Sequence, residues 1–487
     1  NLRLLRDGAP ASPATPRRKK LLLEVAPALL GEITRAPDPD LALHNMARFL
    51  AAIGARSSFL ALLAENLPTL RVLVRLFGSS EFLSQILIRH PEMLDSLVRA
   101  DLVRVELAKQ DMARELASLL ATTRTYEDLL DVLRRFRNEQ FLRIGINDLE
   151  GLLPFPAVSS QLSDLADVCL EAVLQVAEVE TLQRYGLAAA PGRFAVIGMG
   201  KLGSRELTYN SDLDLIFVYV PGASPAADAP ATETVSVHEY FTRLAQAMLT
   251  TLQVPTREGR LYRIDTRLRP SGNKGPLVSS LDAFSRYHTE SSQLWERQAL
   301  IKARAVTGDP ALMREVETIT ERFVYAATLR DDEIREIHRL RMRMERELAG
   351  DEREGFNIKT GRGGIVDIEF LTQMLQLRHG TAAPSVRKRA TRHALAALAE
   401  AGVVPPEDAA ALLQSYAFLR TLTNRLRIER DQSVEALERE GERLPALARR
   451  LGYEGTNVEI ARRLLDDYAH HRERVRALYA HWFGVAG

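Results

Sequence analysis

Two aspartates stand one residue apart at the start of an apolar run near the middle of the chain, in the order Ser211-Asp212-Leu213-Asp214-Leu215. Residues i and i+2 of a strand share a face, so Asp212 and Asp214 are predicted to point the same way while the leucines enter a core. Two carboxylates this close repel each other unless a cation lies between them. Mg²⁺ commonly binds through one or two carboxylates together with substrate phosphates. The spacing therefore indicates a magnesium–phosphate site, and Ser211 is a candidate for holding a nucleotide beside it.

A third carboxylate, Asp265, ends a later segment, residues 261–265, that alternates like a strand. On a strand next to the paired aspartates it would complete a two-metal site. Such a site clamps the attacking and the leaving oxygen of an in-line displacement at phosphorus. Arg267 and Arg269 follow closely and could neutralise phosphate charge. This set predicts displacement chemistry at phosphorus, with the three aspartates as metal ligands and catalytic residues.

A glycine-rich turn precedes the aspartate pair, and its end, Gly203-Ser204, can hold a triphosphate with backbone N–H groups and the serine hydroxyl. Gly198, Gly200 and Gly203 also match the dinucleotide-binding fingerprint. That motif needs an acidic residue at the end of the second strand, and the strand here ends without one. A Walker A loop is excluded because Ala195 stands where that motif needs glycine. A lone Asp-x-Asp usually marks a charged surface, but the turn, the buried strand and the later aspartate together favour the phosphate site.

Two further segments carry cations whose role the sequence leaves open. Residues 358–364 are glycine-rich and precede a predicted helix. Lys359 could help to hold an anion there, or the segment could be only a tight turn with helix caps. Lys302 and Arg304 could line the edge of an active site, or they could lie on the solvated face of a helix. We retain Lys302 and Lys359 as candidate nucleotide-binding residues.

The hydrophobic pattern changes twice along the chain. Residues 21–185 follow helical periodicity, residues 186–317 contain short apolar runs typical of buried strands, and residues 318–487 are helical again. Residues 1–20 are proline-rich and are predicted to be a linker or a disordered end, and residues 221–236 a flexible loop. The expected fold class is α+β, predominantly helical, with a small mixed-sheet catalytic domain flanked by N- and C-terminal helical domains.

Composition narrows the function classes. Lys+Arg (65) and Asp+Glu (64) nearly cancel, which argues against a nucleic-acid partner because proteins that bind nucleic acids usually carry a basic excess. The single cysteine, Cys169, excludes an internal disulfide and a cysteine-based zinc site, and its apolar neighbours predict a buried core thiol. We find neither an apolar stretch that could cross a membrane nor a signal peptide, so a cytoplasmic location without a membrane partner is expected. The chain opens at Asn1 rather than Met, which suggests a piece of a longer protein.

Four longer segments resemble a single family. They read GMGKLGSRELTYNSDLDLIFVY, RIDTRLRPSG, WERQALIKARAVTGDP and FNIKTGRGGIVDIEF. Together they resemble glutamine synthetase adenylyltransferase, also called glutamate–ammonia-ligase adenylyltransferase, within the DNA polymerase β-like nucleotidyltransferase superfamily. The resemblance implies a polymerase β-like catalytic domain in which Asp212, Asp214 and Asp265 bind two Mg²⁺ ions, and in which Gly203 and Ser204 hold the phosphates of ATP.

The same resemblance implies that a tyrosine hydroxyl of glutamine synthetase attacks the α-phosphorus of ATP while pyrophosphate leaves. Full-length members of the family carry two such domains, one that adds AMP and one that removes it by phosphorolysis, and the motifs here look more like the adding half. Three functions stay open: adenylylation, which we favour, phosphorolytic removal giving ADP, and a catalytically silent docking module. The retention of three mutually repelling acids disfavours the last. The PII signal protein and glutamine are implied as regulators of nitrogen assimilation through the full-length enzyme.

Overall fold

The computed structural model of the 487-residue chain describes most of its length. The described residues are 8–9, 12–13, 15–54, 56–94, 105–222, 235–350, 355–429 and 436–485. Within them, none of the helices combines the length and the apolar character that a crossing of a lipid bilayer requires. The predicted class, α+β and predominantly helical, is confirmed.

The first region consists of helices. They are α1 (Pro16–Arg35), α2 (Pro39–Ala52), α3 (Ser57–Glu65), α4 (Leu67–Ser79), α5 (Glu81–Arg89), α6 (Lys109–Leu120), α7 (Tyr126–Leu149) and α8 (Phe155–Tyr185). Two short strands, β1 (Gly8–Ala9) and β2 (Ser12–Pro13), precede them. As its position before Glu81 predicts, Ser80 caps α5: its hydroxyl accepts the N–H of Leu83 at 3.0 Å. The same hydroxyl donates to the carbonyl of Ile428, so this cap also ties the first region to a helix near the end of the chain.

A mixed five-stranded sheet follows. Its strands are β3 (Gly192–Gly198), β4 (Leu213–Pro221), β5 (Ile264–Asp265), β6 (Val278–Ser280) and β7 (Arg304–Gly308). β3 lies between β4 and β7 and is antiparallel to both. β5 and β6 both pair with β4 in parallel, β5 beside its first residues and β6 beside its later ones. The start of β4 is therefore flanked by β5, the arrangement that a site shared by these two strands requires.

Helices lie between and after the strands. They are α9 (Gly200–Gly203), α10 (Val237–Gln253), α11 (Leu281–Glu290), α12 (Leu294–Leu300), α13 (Pro310–Val324), α14 (Asp331–Leu348), α15 (Ile365–His379), α16 (Thr391–Glu400), α17 (Pro406–Glu429), α18 (Arg443–Arg450) and α19 (Asn457–Phe483). Two short 3₁₀ turns occur at Gly272–Lys274 and Pro384–Val386, and β8 (Phe356–Asn357) pairs with β9 (Ala436–Leu437). Helix α13 begins at Pro310 because Asp309 accepts the N–H of Leu312 at 2.8 Å.

The sheet is the middle layer between two apolar cores. Side chains alternate across a strand, so Phe194 and Val196 of β3 join the core built mainly from α1 to α8 and α10. The neighbouring Ala195 and Ile197 join the core built from the helices that follow the sheet. On the first face the ring of Phe194 stacks on that of Phe241 in α10, with 5.6 Å between centroids. Both faces of β3 and β4 are covered, which explains their nearly unbroken apolar sequences.

Several sequence-based boundaries need adjustment. The third strand was expected over residues 261–265, but β5 contains only Ile264 and Asp265, because the backbone before them hydrogen-bonds at isolated points such as Arg263 to Leu213. Helix α1 begins at Pro16, inside the stretch 1–20 that was expected to be a linker or disordered end. Most of the predicted loop 221–236 lies outside the described residues. Cys169 is buried as predicted, and burial raises the pKa of its thiol to about 12.

Candidate active site

The parallel pairing of β4 with β5 brings the predicted carboxylates together. Asp214 and Asp265 are register partners on the two strands, so their side chains leave the sheet side by side. Asp212 immediately precedes β4, and all three aspartates line one cleft. The structure thus assembles the three acidic residues that the sequence analysis selected, although they are 53 positions apart at the extremes.

The turn between β3 and β4 lies directly over this group. Gly200 has a left-handed backbone with φ +52°, a region that residues with a side chain rarely adopt. A Cβ atom added at Gly200 would lie 2.6 Å from the Oδ2 atom of Asp214, closer than carbon and oxygen can approach. The N–H of Met199 donates to the carbonyl of Asp214 at 2.9 Å and fixes the turn against β4. Glycine is therefore required at position 200 both for backbone conformation and for space.

The carboxylates differ in their electrostatic environment. Burial, together with the negative charges of Asp265 and Asp212, raises the pKa of Asp214 to about 6. Asp265 has the opposite shift: hydrogen bonds from the guanidinium of Arg267 hold the pKa of Asp265 below its usual value. Arg267 contacts both carboxylate oxygens and also donates its backbone N–H to Oδ1 at 2.8 Å. Asp214 is a carboxylate short of counter-charge, whereas Asp265 is held in an ion pair at the cleft mouth.

Basic side chains face the aspartates from several elements. Lys201 and Lys359 are close enough for their charges to lower the pKa of Asp214, against the larger opposing effect of burial. Lys302, which is almost fully buried, donates to Glu369 of α15 at 2.7 Å. Burial raises the pKa of Glu369, but the ammonium of Lys302 outweighs this effect and the pKa is lower than normal. The predicted candidates Lys302 and Lys359 therefore both lie in the cleft.

The loop that carries Lys359 is held by a buried ion pair. Asp367, in the first turn of α15, pairs with Arg341 of α14, and neither side chain is exposed to solvent. Asp367 also accepts the N–H of Gly363 at 2.8 Å, while Arg341 donates to the carbonyl of Gly361 at 2.9 Å. The glycine-rich stretch is thus fixed by both members of the pair. It acts at least as a structured turn with helix caps, and it also directs a lysine into the cleft.

The cleft has a volume of about 920 Å³, in the range of small-molecule sites. Six basic and four acidic residues line the cleft. The excess of positive charge favours a negatively charged ligand despite the carboxylates. The lining also includes apolar side chains, among them Trp295 and Phe370, which can receive a ring. The remaining lining residues of these types are Arg267, Leu268, Ala299, Leu340, Arg343, Met344, Val366 and Arg427.

Three predicted residues lie elsewhere. The hydroxyl of Ser204 donates to the carbonyl of Gly200 at 3.0 Å, and both Ser204 and Gly203 line a different cavity behind the turn. Arg269 donates to the carbonyls of Thr266 and Pro276 and stabilises its own loop. Gly203 and Ser204 thus lie away from the aspartates, and their role in holding the phosphates stays a prediction. Gly200 and Lys201, earlier in the same turn, face the aspartates instead.

Ser211 lies in the cleft as predicted, but its hydroxyl is engaged with the segment before it. It accepts the N–H of Thr208 at 3.1 Å and lies 3.5 Å from a guanidinium nitrogen of Arg427. Arg304 does not reach the cleft, because its guanidinium pairs with the fully buried carboxylate of Asp167 at 2.8 Å. The sequence left open whether Lys302 and Arg304 line an active site. In the structure Lys302 lines the cleft, and Arg304 packs behind it.

The donor set fits magnesium in part. Among the described residues, no three His, Cys, Asp or Glu side chains lie close enough together to hold a metal ion by themselves. At this site both oxygens of the third carboxylate, Asp265, accept hydrogen bonds from Arg267. Asp212 and Asp214 remain as two oxygen donors that repel each other, and two carboxylates plus substrate phosphates are a common magnesium set.

Sequence reasoning missed several cleft residues. Lys201 stood inside the glycine-rich turn, and the position of a cation between phosphate-binding glycines was a usable signal. Glu369 stood two residues after Asp367, but nothing local distinguishes its role from that of Asp367. Arg427 comes from α17, far along the chain, and no spacing rule connects it with the aspartates.

Comparison with known proteins adds an independent finding. The family model of glutamate-ammonia ligase adenylyltransferase matches residues 70–319, just over half of the chain. A second model, that of GlnD PII-uridylyltransferase, matches residues 335–483. A bifunctional glutamine synthetase adenylyltransferase/adenylyl-removing enzyme from Thioalkalivibrio sulfidiphilus (strain HL-EbGR7) is 35% identical over 465 residues, which cover 93% of this chain and 48% of that protein. The chain thus spans about half the length of this curated relative.

Proposed function

The chain belongs to the glutamate-ammonia ligase adenylyltransferase family, and on that premise we propose that it transfers AMP from Mg-ATP to a tyrosine hydroxyl of glutamine synthetase. The observation that carries the proposal is the cleft in which Asp212, Asp214 and Asp265 meet three lysines. Carboxylates that bind magnesium and cations that bind phosphate are the two components that nucleotidyl transfer needs. Their occurrence in one cleft that also has aromatic and apolar lining residues supports ATP as the donor.

In this proposal Asp212 and Asp214 would hold magnesium together with the phosphate groups of the substrate. The raised pKa of Asp214 supports the assignment, because it shows a carboxylate whose negative charge is under-compensated by the protein itself. Magnesium supplies Lewis-acid stabilisation of the charge that develops on the phosphate oxygens. Lys201 and Lys359 act on the same charge from the glycine-rich turn and from the loop before α15.

Asp265 and Arg267 exchange partners when the substrate binds. Arg267 is 73% exposed and pairs with Asp265 at the mouth of the cleft, so a triphosphate can compete for its guanidinium at little cost in burial. Release of Arg267 frees Asp265 to complete the metal site or to accept the proton of the acceptor hydroxyl. Arg267 then stabilises phosphate charge, the role that its position after the third carboxylate suggested.

The step is an in-line displacement. The tyrosine oxygen of the acceptor forms a bond to the α-phosphorus, the bond from that phosphorus to the bridging oxygen breaks, and pyrophosphate leaves with the electron pair. The hydroxyl proton passes to Asp265 or to solvent. The rest of the nucleotide would bind beside Lys302 and Trp295. Lys302 is buried next to Glu369, whereas Trp295 is exposed, and both line the cleft.

A second candidate function is the reverse type of reaction. The relative from Thioalkalivibrio carries both activities in its printed name, and this chain spans about half of its length. Phosphorolytic removal of AMP from glutamine synthetase, giving ADP, would use the same aspartates and lysines with inorganic phosphate as the nucleophile. The match of residues 335–483 to a PII-uridylyltransferase model also supports the PII signal protein as a regulatory partner, with glutamine as the effector implied by the family resemblance.

The test uses the purified chain, unmodified glutamine synthetase, Mg²⁺ and ATP labelled on the α-phosphate. We expect covalent label on the synthetase, and its loss in the variant Asp214→Asn. The control Asp309→Asn alters an acidic helix cap outside the cleft and should keep the activity. Release of ADP from pre-adenylylated synthetase with phosphate, without forward labelling, would assign the removing activity instead. Near wild-type labelling by a folded Asp214→Asn variant would refute the assignment of this cleft.

A further inference from the structure

A second cavity lies behind the glycine-rich turn, on the opposite side from the aspartates. It has a volume of about 760 Å³ and is bounded by Gly203, Ser204 and residues of α8, α13, α16 and α17. The turn leaves no room between the two spaces: a Cβ added at Gly203 would lie 1.8 Å from the carbonyl oxygen of Lys302. The two spaces share no lining residue, so a ligand in this second cavity is separate from the aspartates.

Four buried polar atoms at this cavity have no hydrogen-bond partner among the described residues. They are the hydroxyls of Ser159 and Thr320, the Nε–H of Arg420 and the Oε2 atom of Glu206. Each of these residues is less than 10% exposed. Folded proteins pair the large majority of their buried polar side-chain atoms, and an unpaired one costs about 1–3 kcal/mol. Four such atoms around one cavity indicate that a polar group belongs inside it.

The charges around the cavity select an anion. Seven Arg or Lys side chains line it against three Glu side chains. Four of these cations are neutralised by ion pairs: Arg387 with Glu321, Arg389 with Glu317, Arg205 with Asp164 and Arg304 with Asp167. Lys388 and Arg392, at the mouth, make no ion pair within the described part of the chain, and Arg420 lies inside.

Arg420 is the deepest cation of this set. Its guanidinium lies between the rings of Phe155 and Tyr416, 5.6 Å and 5.7 Å from their centroids. One of its terminal nitrogens donates to the backbone carbonyl of Glu206, and its Nε–H has no hydrogen-bond partner among the described residues. A buried guanidinium with a spare donor, in a cavity whose lining also includes two spare hydroxyls, can receive a carboxylate or phosphate oxygen.

We propose that this cavity binds a small organic anion, whose carboxylate or phosphate group is held by Arg420 and by the hydroxyls of Ser159 and Thr320. The volume suits a metabolite rather than a bare ion. Apolar side chains, among them Ile301 and Val324, form the part of the lining that would receive its carbon skeleton. The Oε2 atom of Glu206 also lacks a hydrogen-bond partner among the described residues, so a ligand that also carries a hydrogen-bond donor is favoured.

The proposed site is physically linked to the cleft, and the link runs through Glu206. The Oε1 atom of Glu206 accepts from Tyr416 at 3.0 Å on the cavity side, and Oε2 lies 3.7 Å from the ammonium of Lys302, which lines the cleft. A donor on the ligand would therefore compete with Lys302 for the same carboxylate oxygen. The ligand of the second cavity and the ligand of the cleft would therefore both act on Glu206, although they occupy separate spaces.

The test measures binding and does not depend on transfer activity. The full chain, without Mg²⁺ or nucleotide, is titrated calorimetrically with inorganic phosphate and, separately, with succinate. The variant Ala417→Glu adds a carboxylate at the cavity lining, and Gln414→Glu adds the same charge on α17 outside the cavity. A like charge within a few ångströms should weaken binding by at least about tenfold in the first variant and leave it unchanged in the second.

Thr320→Val removes a hydroxyl that has no partner within the described residues, so the variant should fold normally and bind the anion a few times more weakly. Lys359→Met, in the cleft, separates the two sites: binding that survives this change belongs to the second cavity. Binding of phosphate alone identifies a phosphate-type head group, and binding of succinate a carboxylate. Equal affinities in wild type and Ala417→Glu, loss only in Lys359→Met, or no binding of either anion would overturn the proposal.

Discussion

Gly200→Ala should disable the candidate active site while it leaves the fold almost intact. The added Cβ would lie 2.6 Å from Oδ2 of Asp214, and ordinary contact begins near 3.4 Å, so the carboxylate or the turn must move by about 0.8 Å. A misplacement of about 1 Å at a reacting centre can cost on the order of a hundredfold in rate. The left-handed φ of +52° adds about 1 kcal/mol of backbone strain for any residue with a Cβ. We therefore expect AMP transfer to fall roughly a hundredfold with a modest loss of stability.

The matched control is Gly186→Ala. Gly186 also has a left-handed backbone, φ +63°, at the end of α8, but a Cβ there meets nothing within 4 Å. Both variants should lose about the same stability in thermal unfolding, on the order of 1 kcal/mol. Only Gly200→Ala should lose transfer of α-labelled AMP to glutamine synthetase. If the two variants keep equal activity, the close approach of the turn to Asp214 plays no part in function and the reasoning is refuted.

Three further outcomes follow from the same geometry. Asp367→Asn should destabilise the fold by roughly 3 kcal/mol in chemical unfolding, because it removes the buried carboxylate that pairs with Arg341. The surface variant Glu321→Gln should cost less than about 1 kcal/mol. Equal losses of stability in the two variants would contradict the buried-pair argument. Lys302→Met should abolish transfer and leave Glu369 buried without its cation, whereas Lys302→Arg should restore part of the activity; full activity of the Met variant would show that this ammonium is dispensable. Burial lowers the pKa of His288 from 6.5 to about 4, so the folded chain binds fewer protons than the unfolded chain in this range and loses stability as the pH falls from about 6.5 to about 4. His288→Phe should escape that loss, which is about 3 kcal/mol at most, and melting temperatures that fall in parallel for the two proteins would contradict the prediction.

Local sequence rules predicted those parts of the fold that local chemistry decides. The capping role of Ser80 follows from the side-chain oxygen that an N-terminal helix turn needs, and the structure confirms it. The apolar run from Leu213 gave strand β4, because a strand covered on both faces has no polar alternation to disguise it. The shared face of Asp212 and Asp214 needs only the period of a strand. The role of these residues in catalysis stays a prediction.

Contacts between segments that are far apart in the sequence decided the remaining features of the site. The sequence placed the phosphate-binding end of the glycine-rich turn at Gly203-Ser204, but α9 turns that end away from β4 and brings Gly200 onto Asp214. A residue's distance from its strand along the chain does not reveal which side of a turn faces the sheet. The same applies to Arg269, whose neighbour Arg267 points to the cleft while its own guanidinium closes the loop. Two positions along this loop decide which of the two arginines lines the cleft.

The cleft lies where the segment that matches the adenylyltransferase model meets the segment that matches the uridylyltransferase model. The aspartates come from the segment that matches the adenylyltransferase family, whereas Lys359, Glu369 and Arg427 come from the segment after it. Glu369 is linked to the sheet region by its ion pair with Lys302, so a charge contributed by one segment is balanced by the other. Buried contacts such as that of Asp148 with Arg425, at 2.6 Å, tie the helices before and after the sheet together. Since an unbalanced buried charge costs several kcal/mol, neither segment can present its half of the cleft in the same form without the other.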